Sequence, residues 1–456
     1  MMKLEGLFLH LLPIFGFFLA VALLVHQNRE ARSPSSTVAW LLAILLVPYL
    51  GVPAYLIFGG RKLKRMTKNK ADLKPAVNAD VEREIIPRGG NLFPSRSGNA
   101  LALLSTGEIA YAALVELINQ AEKSIDIATF ILGNDATGAA ILEALTRKAE
   151  QGLRVRLLLD AVGSFRVSKK KLASLEAGGG EYAFFMPMLH LPFRGRANLR
   201  NHRKIVIVDD LSAMVGGMNI AHEYMGMNVD AHRWQDLSML VKGPVVADLC
   251  QVFASDWQFA AKQGQALSTV PVKVVSGSNT EAQLLPSGPD VSGDPLYESL
   301  ITAFFKARER IWIVTPYFIP DEMMLKAICL AARRGIDVRI VVPQRSNHRL
   351  ADLVRRSYLR QIQESGATVC NYTPGMVHAK VILVDNGLGI IGSMNMDLRS
   401  FFLNYEIVMF VHSEKFVKDL ELWVAKLISN SAPGVKKANV VVGFLEEVAR
   451  LLAPLL

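Results

Sequence analysis

A duplicated α/β fold is what the 456-residue chain predicts: two similar domains, each a mixed β-sheet flanked by helices, after an N-terminal two-helix membrane hairpin. Three observations predict it. The stretch Asn201-His202-Arg203-Lys204-Ile205-Val206-Ile207-Val208-Asp209 returns as His378-Ala379-Lys380-Val381-Ile382-Leu383-Val384-Asp385. Strand-like and helix-like patterns alternate through both halves. Two long apolar runs open the chain.

Residues 7–25 form a run of 19 whose single polar member is His10, and residues 38–58 give 21 more, interrupted by Pro48, Gly51 and Pro53. As helices, each reaches roughly 30 Å, the thickness of a hydrocarbon core. No small-residue cleavage site follows Val25 and a second run comes soon after, so two spans are expected rather than a signal peptide. Trp40, Tyr49 and Tyr55 are placed for the membrane interface. Arg61, Lys62, Lys64, Arg65, Lys68 and Lys70 follow the second run without an acid, which puts that side in the cytoplasm. The loop between the runs is short, so a shallow hairpin that does not fully cross stays open. The expected organisation is a hairpin over 1–60 and a basic juxtamembrane arm and linker over 61–95.

The first domain is expected over 96–262. Helical spacing at 109–123 gives way to a β-branched stretch at 124–132, a helix at 137–151 that Gly152 ends, a strand at 153–159 and a short helix at 169–177. An apolar, proline-broken segment at 184–193 precedes the first motif, either as a buried loop or as a lip touching acyl chains. Arg194, Arg196, Arg200 and Arg203 follow it, some of them candidates for lipid phosphate. Residues 263–294, rich in Ser, Gly, Pro and Gln, read as an inter-domain linker. The second domain, 295–456, replays the first: 307–315 echoes 121–129, and 335–342 echoes 152–159. A repeat this long means two similar domains rather than a solenoid. The apolar tail from Val440, carrying Glu446, Glu447 and Arg450, has helical spacing and packs on the domain or lies on the bilayer.

The formal net charge of +10, from 51 basic against 41 acidic residues, suits nucleic acid or an anionic membrane surface. The apolar N-terminus decides for the membrane. Cys250, Cys329 and Cys370 are scattered and make no C-x-x-C, so buried free thiols are expected, with neither a disulfide framework nor a zinc site.

A His and a Lys two apart share one face of an extended strand. His378 follows His202 by 176 positions (378 − 202), and the same offset relates Lys204 to Lys380, Asp209 to Asp385, and Gly216-Gly217-Met218-Asn219 to Gly392-Ser393-Met394-Asn395. Two such sets, if they meet, make a compact cationic pocket suited to a phosphodiester. A neutral imidazole can attack phosphorus near pH 7, and a protonated one can give its proton to the leaving oxygen. Lys204 and Lys380, with Asn219 and Asn395, would hold the non-bridging oxygens, and Ser393 is a further phosphate candidate. The scheme requires no metal or other cofactor. A catalytic imidazole needs its other nitrogen fixed, and Asp236 and Glu406 are the acidic candidates. Asp209 and Asp385 complete each motif and stand among the catalytic candidates; the alternative is that they fix turns.

The pattern HxKxxxxD followed by GGxN or GSxN resembles the signature of the phospholipase D superfamily. The stretch from Ile391 through Asn395, Asp397 and Arg399 to Glu406 resembles bacterial cardiolipin synthases in particular, and the likeness covers nearly the whole chain. The resemblance implies transfer of a phosphatidyl group between two phosphatidylglycerol molecules through a phosphohistidine. His202 would be the nucleophile, with Asp236 supporting His202 and Glu406 supporting His378. It also implies anionic membrane lipids as partners, no nucleic acid, and a multi-pass bacterial inner-membrane enzyme whose catalytic domains face the cytoplasm. A hydrolytic phospholipase D, another phosphatidyltransferase, a nuclease of the superfamily and a non-catalytic lipid anchor are the rival expectations.

Overall fold

In the computed structural model, the residues described are 93–186, 199–262, 278–291 and 293–450, with the single positions 44, 47, 51, 70 and 275. The expected membrane hairpin, the basic arm apart from Lys70, the lip from 187 onward with Arg194 and Arg196, and the last six residues lie outside them. Among the described residues, no helix is long and apolar enough to cross a membrane.

The first half runs β1 (Arg96–Leu104), α1 (Gly107–Gln120), β2 (Ser124–Thr129), α2 (Ala136–Glu150), β3 (Arg154–Asp160), α3 (Lys169–Ala177), β4 (Glu181–Phe185), β5 (Ile205–Val208), β6 (Ser212–Gly216), β7 (Ser238–Lys242) and α4 (Val245–Ala261). The second half begins β8 (Thr280–Ser287), α5 (Pro295–Lys306), β9 (Arg310–Val314), β10 (Phe318–Ile319), α6 (Glu322–Arg333), β11 (Asp337–Pro343), α7 (Arg349–Glu364) and β12 (Thr368–Tyr372). It continues β13 (Val381–Val384), β14 (Leu388–Gly392), β15 (Met396–Asp397), α8 (Leu398–Phe402), β16 (Glu406–His412), α9 (Glu414–Ser429), β17 (Ser431–Pro433) and α10 (Val440–Arg450).

The alternation of the two halves builds one mixed sheet of 15 strands, ordered β17-β12-β11-β9-β13-β14-β16-β8-β1-β7-β6-β5-β2-β3-β4. Read outward from the β1–β8 seam, the halves repeat each other, and β17 extends one edge. Within this sheet parallel pairing is confined to β2-β3-β4 and β9-β11-β12, the strands joined by crossover helices, and β10 and β15 form a separate parallel pair. The short strands after each motif, IVIV in β5 and VILV in β13, are buried throughout, which is why they read as unbroken apolar runs. Local capping agrees with the pattern. Asp135 accepts from Gly138 N at 2.9 Å to start α2, and Asp321 accepts from Met324 N at 3.1 Å to start α6. Gly152 and Gly335 follow those helices with φ of +88° and +85°, a conformation that costs other residues.

Two findings differ from the sequence reading. The segment expected as linker, 263–294, contains β8, whose Leu284 and Leu285 are fully buried and which pairs with both β1 and β16. Its Gln, Pro and Ser content hides a strand because the partners that bury it lie at the far ends of the chain. The core is also not two separate cores. One cluster gathers side chains from β5–β7 and α4 with others from β13, β16 and α9, so the halves share an interior. Two further clusters lie under α1–α3 and under α5–α7. The tail helix α10 docks on α7, with Arg360 paired to Glu446 and Arg450 lying 4.5 Å over the Tyr358 ring. Val440, Val441 and Phe444 stay exposed on its other side.

Candidate active site

Each motif places its His and Lys immediately before a buried strand, where sheet pairing fixes the backbone. The halves then meet through the segments next to the motifs. His202 N donates to Tyr405 O at 2.9 Å, and His378 N donates to Gln235 O at 2.7 Å. Parallel bridges Asn201–Tyr405 and Gln235–Val377 accompany them. Each motif is therefore stitched to the segment that carries the other half's acidic residue.

The histidine–carboxylate pairs are crossed between halves. His202 Nδ1 lies 2.9 Å from Glu406 Oε2, and His378 Nδ1 lies 2.7 Å from Asp236 Oδ2. This corrects the expectation that Asp236 supports His202 and Glu406 supports His378. Spacing along one chain cannot distinguish a partner in the same repeat from one in the sister repeat; the bridges above decide it. Burial would raise the Glu406 carboxyl, but His202, Lys204 and a hydrogen bond from Ser393 outweigh it and hold it below the usual range. Against the same burial, His378 and Lys380 hold Asp236 down. An ionised carboxylate only accepts, so each imidazole carries its proton on Nδ1 and turns an Nε2 lone pair to the site.

Both imidazoles are kept neutral. Burial pushes His202 down, Glu406 opposes this, and Lys204 adds to it. Burial and then Lys380 push His378 down to about 3. Burial also lowers Lys380 to about 8 and takes Lys204 well below its usual value. Lys204 Nζ donates to His202 O at 2.7 Å, and Lys380 Nζ lies 3.1 Å from His378 Nε2. The Lys380 charge bears on His202 and the Lys204 charge on His378, so the two motifs occupy one site.

The remaining candidates separate. Asn219 accepts from Ile131 N at 3.2 Å, while its Nδ2 and the Oδ1 of Asn395 are buried without a hydrogen-bond partner among the described residues. Such atoms are costly unless something else meets them. Ser393 is not placed for phosphate. It is fully buried and donates to Glu406 Oε2 at 2.5 Å, so it braces the carboxylate that orients His202. At the matching position, a Cβ on Gly217 would come within 2.2 Å of Asp236 Oδ1. The shorter acid and the glycine thus replace Glu and Ser as a set.

Asp209 and Asp385 are corrected from catalytic to structural. Asp209 accepts from the amides of Glu122, Lys123 and Ser124 at 2.9, 2.7 and 2.8 Å. Asp385 does the same for Arg308, Glu309 and Arg310 at 2.8 to 3.1 Å. Each sits at the far end of its motif strand with φ of +56° and +52°, a left-handed conformation Asp tolerates. Asp209→Ala and Asp385→Ala should each lower stability by about 1–3 kcal/mol while the folded enzyme keeps its turnover. Thermal melting and specific activity on the same preparations check both.

Arg203, a sequence candidate for lipid phosphate, is fully buried. It donates to Asp256 at 2.7 Å and to the carbonyls of Glu406 and Ser287 at 3.0 Å each. Lys70 joins it there, 2.6 Å from Asp290 and paired with Asp256. Arg200 instead lines an open cleft of about 340 Å³ that reaches His202, Asn395 and Phe130. Tyr317, Ile319, His348, Ala351, Asp397, Arg399 and Asn404 complete its wall; of these the sequence reading named Asp397 and Arg399, only as part of the resembling stretch and with no role. His378 is flanked by the rings of Tyr224 and Trp234 at 5.0 and 5.5 Å, as His202 is by the Phe130 ring at 5.1 Å.

A family described as "Cardiolipin synthase, PLD-like domain" matches residues 114–257 and 300–428, and one described as "Phospholipase_D-nuclease N-terminal" matches 14–60. The cardiolipin synthase of Geobacillus kaustophilus (strain HTA426) is 32% identical over 100% of this chain and 95% of its own. Cardiolipin synthase A of Pseudomonas fluorescens (strain SBW25) is 33% identical over 90% of this chain and 91% of its own. Among solved structures, phosphatidylserine synthase of Haemophilus influenzae Rd KW20 superposes with a TM-score of 0.60, at 14% identity, over 78% of this chain and 94% of that one. Polyphosphate kinase of Porphyromonas gingivalis superposes at 0.50, with 13% identity, over 77% and 53%. The fold is thus shared with enzymes of different substrates. With both repeats matched and the relatives aligned over nearly their full lengths, the chain belongs to the cardiolipin synthase family of PLD-like domain proteins.

Proposed function

We propose that the chain is a cardiolipin synthase that moves a phosphatidyl group from one phosphatidylglycerol to another. The crossed His202–Glu406 and His378–Asp236 pairs carry this reading, since they fix two imidazoles in one cationic site by their Nδ1 atoms. The donor phosphodiester lies against Lys204 and Lys380, with Asn219 and Asn395 on its non-bridging oxygens. An anion between the two ammonium groups offsets the charge that depresses His378, so substrate arrival favours its protonated form.

His202 Nε2 then attacks phosphorus. The P–O bond to the departing glycerol breaks, and His378 protonates that oxygen. The neutral His378 next takes the proton from the terminal hydroxyl of a second phosphatidylglycerol. That oxygen attacks phosphorus, the N–P bond breaks, and cardiolipin and free His202 result. One phosphodiester is exchanged for another, and no step draws on a metal or nucleotide. The cleft that His202 lines supports His202 as the nucleophile.

The reading places the protein at the bacterial inner membrane through its N-terminal hairpin, with two catalytic domains on the cytoplasmic side. The exposed apolar face of α10 fits the same surface. Full-length protein with labelled phosphatidylglycerol and excess chelator should yield cardiolipin and glycerol. Phosphatidic acid alone would make it a hydrolase. No product, or product only after a divalent ion is returned, would overturn the scheme.

A further inference from the structure

Two turns flank the cleft that His202 lines, one from each repeat. The first follows β3 and the second follows β11. The 183-residue offset between those strands (335 − 152) carries Val162 onto Arg345, Phe165 onto His348 and Arg166 onto Arg349. Both turns reach the same cleft. His348 is part of its wall, and so is Phe130, on which the first turn rests. Ser164 Oγ donates to Phe130 O at 2.9 Å, and a Cβ on Gly163 would come within 2.1 Å of that oxygen.

The first turn is pinned from below yet presents apolar side chains to water. Asp160 accepts from the amides of Val162 and Gly163 at 2.9 Å each, and Ser164 Oγ accepts from Leu132 N at 3.0 Å. Above these bonds Phe165 is 60% exposed and Val162 38%. Arg166 lies 5.1 Å over the Phe165 ring, Lys169, Lys170 and Lys171 follow, and all four are exposed. The chain carries no acid from Ala161 to Leu175. The second turn lacks the apolar tip but keeps the charge: Arg345 and Arg349 are exposed, and no acid stands between Gln344 and Ala351. Single exposed apolar residues are ordinary. An apolar tip in a basic collar is the composition that binds the surface of an anionic bilayer, through buried apolar area and attraction to lipid phosphate together.

We propose that the turn after β3 is a docking tip for an anionic bilayer. Val162 and Phe165 enter the boundary between headgroups and acyl chains, while Arg166 and Lys169–Lys171 meet lipid phosphates around them. Arg345 and Arg349 meet phosphates on the other side of the cleft. The charge on both turns commits the surface to lipid phosphate rather than to a second copy of this basic chain. An N-terminal hairpin would tether the catalytic domains but leave their orientation open; the tip sets it, with the cleft at headgroup level. What the cleft then receives rests on the phosphatidyl-transfer reading, whereas the docking itself does not require turnover.

Depth quenching tests it. Cys250, Cys329 and Cys370 are buried, so an environment-sensitive fluorophore can be placed selectively on full-length Phe165→Cys. Leu422→Cys serves as the control, being exposed on α9 beside Asp419 and Glu421. Both are reconstituted in vesicles of equal phosphatidylglycerol and phosphatidylcholine. The label at 165 should shift to the blue, and spin-labelled lipid should quench it several-fold more than aqueous iodide does. The label at 422 should show the reverse. In phosphatidylcholine alone, or with Lys169→Glu, Lys170→Glu and Lys171→Glu combined, the 165 emission should return toward its aqueous position. Should Phe165→Cys not fold, Val162→Cys reads the same surface. A label at 165 as open to iodide as the one at 422 would overturn the tip. Shielding from both quenchers would overturn it in favour of a protein contact, and equal insertion without anionic lipid would overturn lipid phosphate as the ligand. Insertion by a protein that makes no cardiolipin would uphold the docking face while the transfer reading fails, so the two are told apart.

Discussion

His202→Ala and His378→Ala are each expected to lower cardiolipin formation by about 10⁴-fold or more. His202 supplies the electron pair that forms the intermediate, and no neighbouring group replaces it. Lys204 Nζ donates to the His202 carbonyl. His378 handles the proton in both halves of the reaction. Losing it leaves a poor leaving group first and an unactivated alcohol second. The two variants differ in what precedes product. Labelled donor should leave an alkali-stable, acid-labile label on wild-type protein, the behaviour of a phosphoramidate, and His202→Ala should show none. Substantial cardiolipin from either variant would sink the two-histidine mechanism, and label retained by His202→Ala would reverse the roles.

Glu406→Gln should cost about 10²- to 10⁴-fold in kcat, because an amide no longer fixes which ring nitrogen carries the proton. The pairing itself is read by double-mutant cycles in folding stability. The His202–Glu406 cycle should show a coupling of about 1.5–3 kcal/mol, as for hydrogen bonds to charged groups. The His378–Glu406 cycle should show much less. The reverse ordering would restore the uncrossed arrangement that the chain order suggests. Ser393 enters the same cycle, since its hydroxyl is bonded to the same carboxylate.

Much of this architecture was legible in the sequence. The repeat at β5 and β13 declared itself because each strand is buried on both faces and bounded by groups of fixed duty: His and Lys at the start, Asp in a left-handed turn at the end. Helices α2 and α3 were legible through their residue patterns, and α2 also through its stop at Gly152. What stayed hidden depends on contacts across the whole chain. Strand β8 looks like a linker until β1 and β16 cover it. Ser393 looks like a phosphate ligand until its hydroxyl is seen on Glu406. The crossed carboxylates and the cleft around Arg200 and Arg399 arise where the repeats face each other. Periodicity within one repeat carries no information about that meeting.

The crossing has a consequence for ancestry. A repeat whose imidazole depends on its sister's carboxylate cannot work alone. If the two copies descend from one gene, the single-copy forerunner was active only as a self-associated pair, with β1 of one molecule against its mate along what is now the β1–β8 seam. Joining the copies end to end then freed one flank to diverge from the other, so that Met376 and Arg200 could follow separate histories at matching positions.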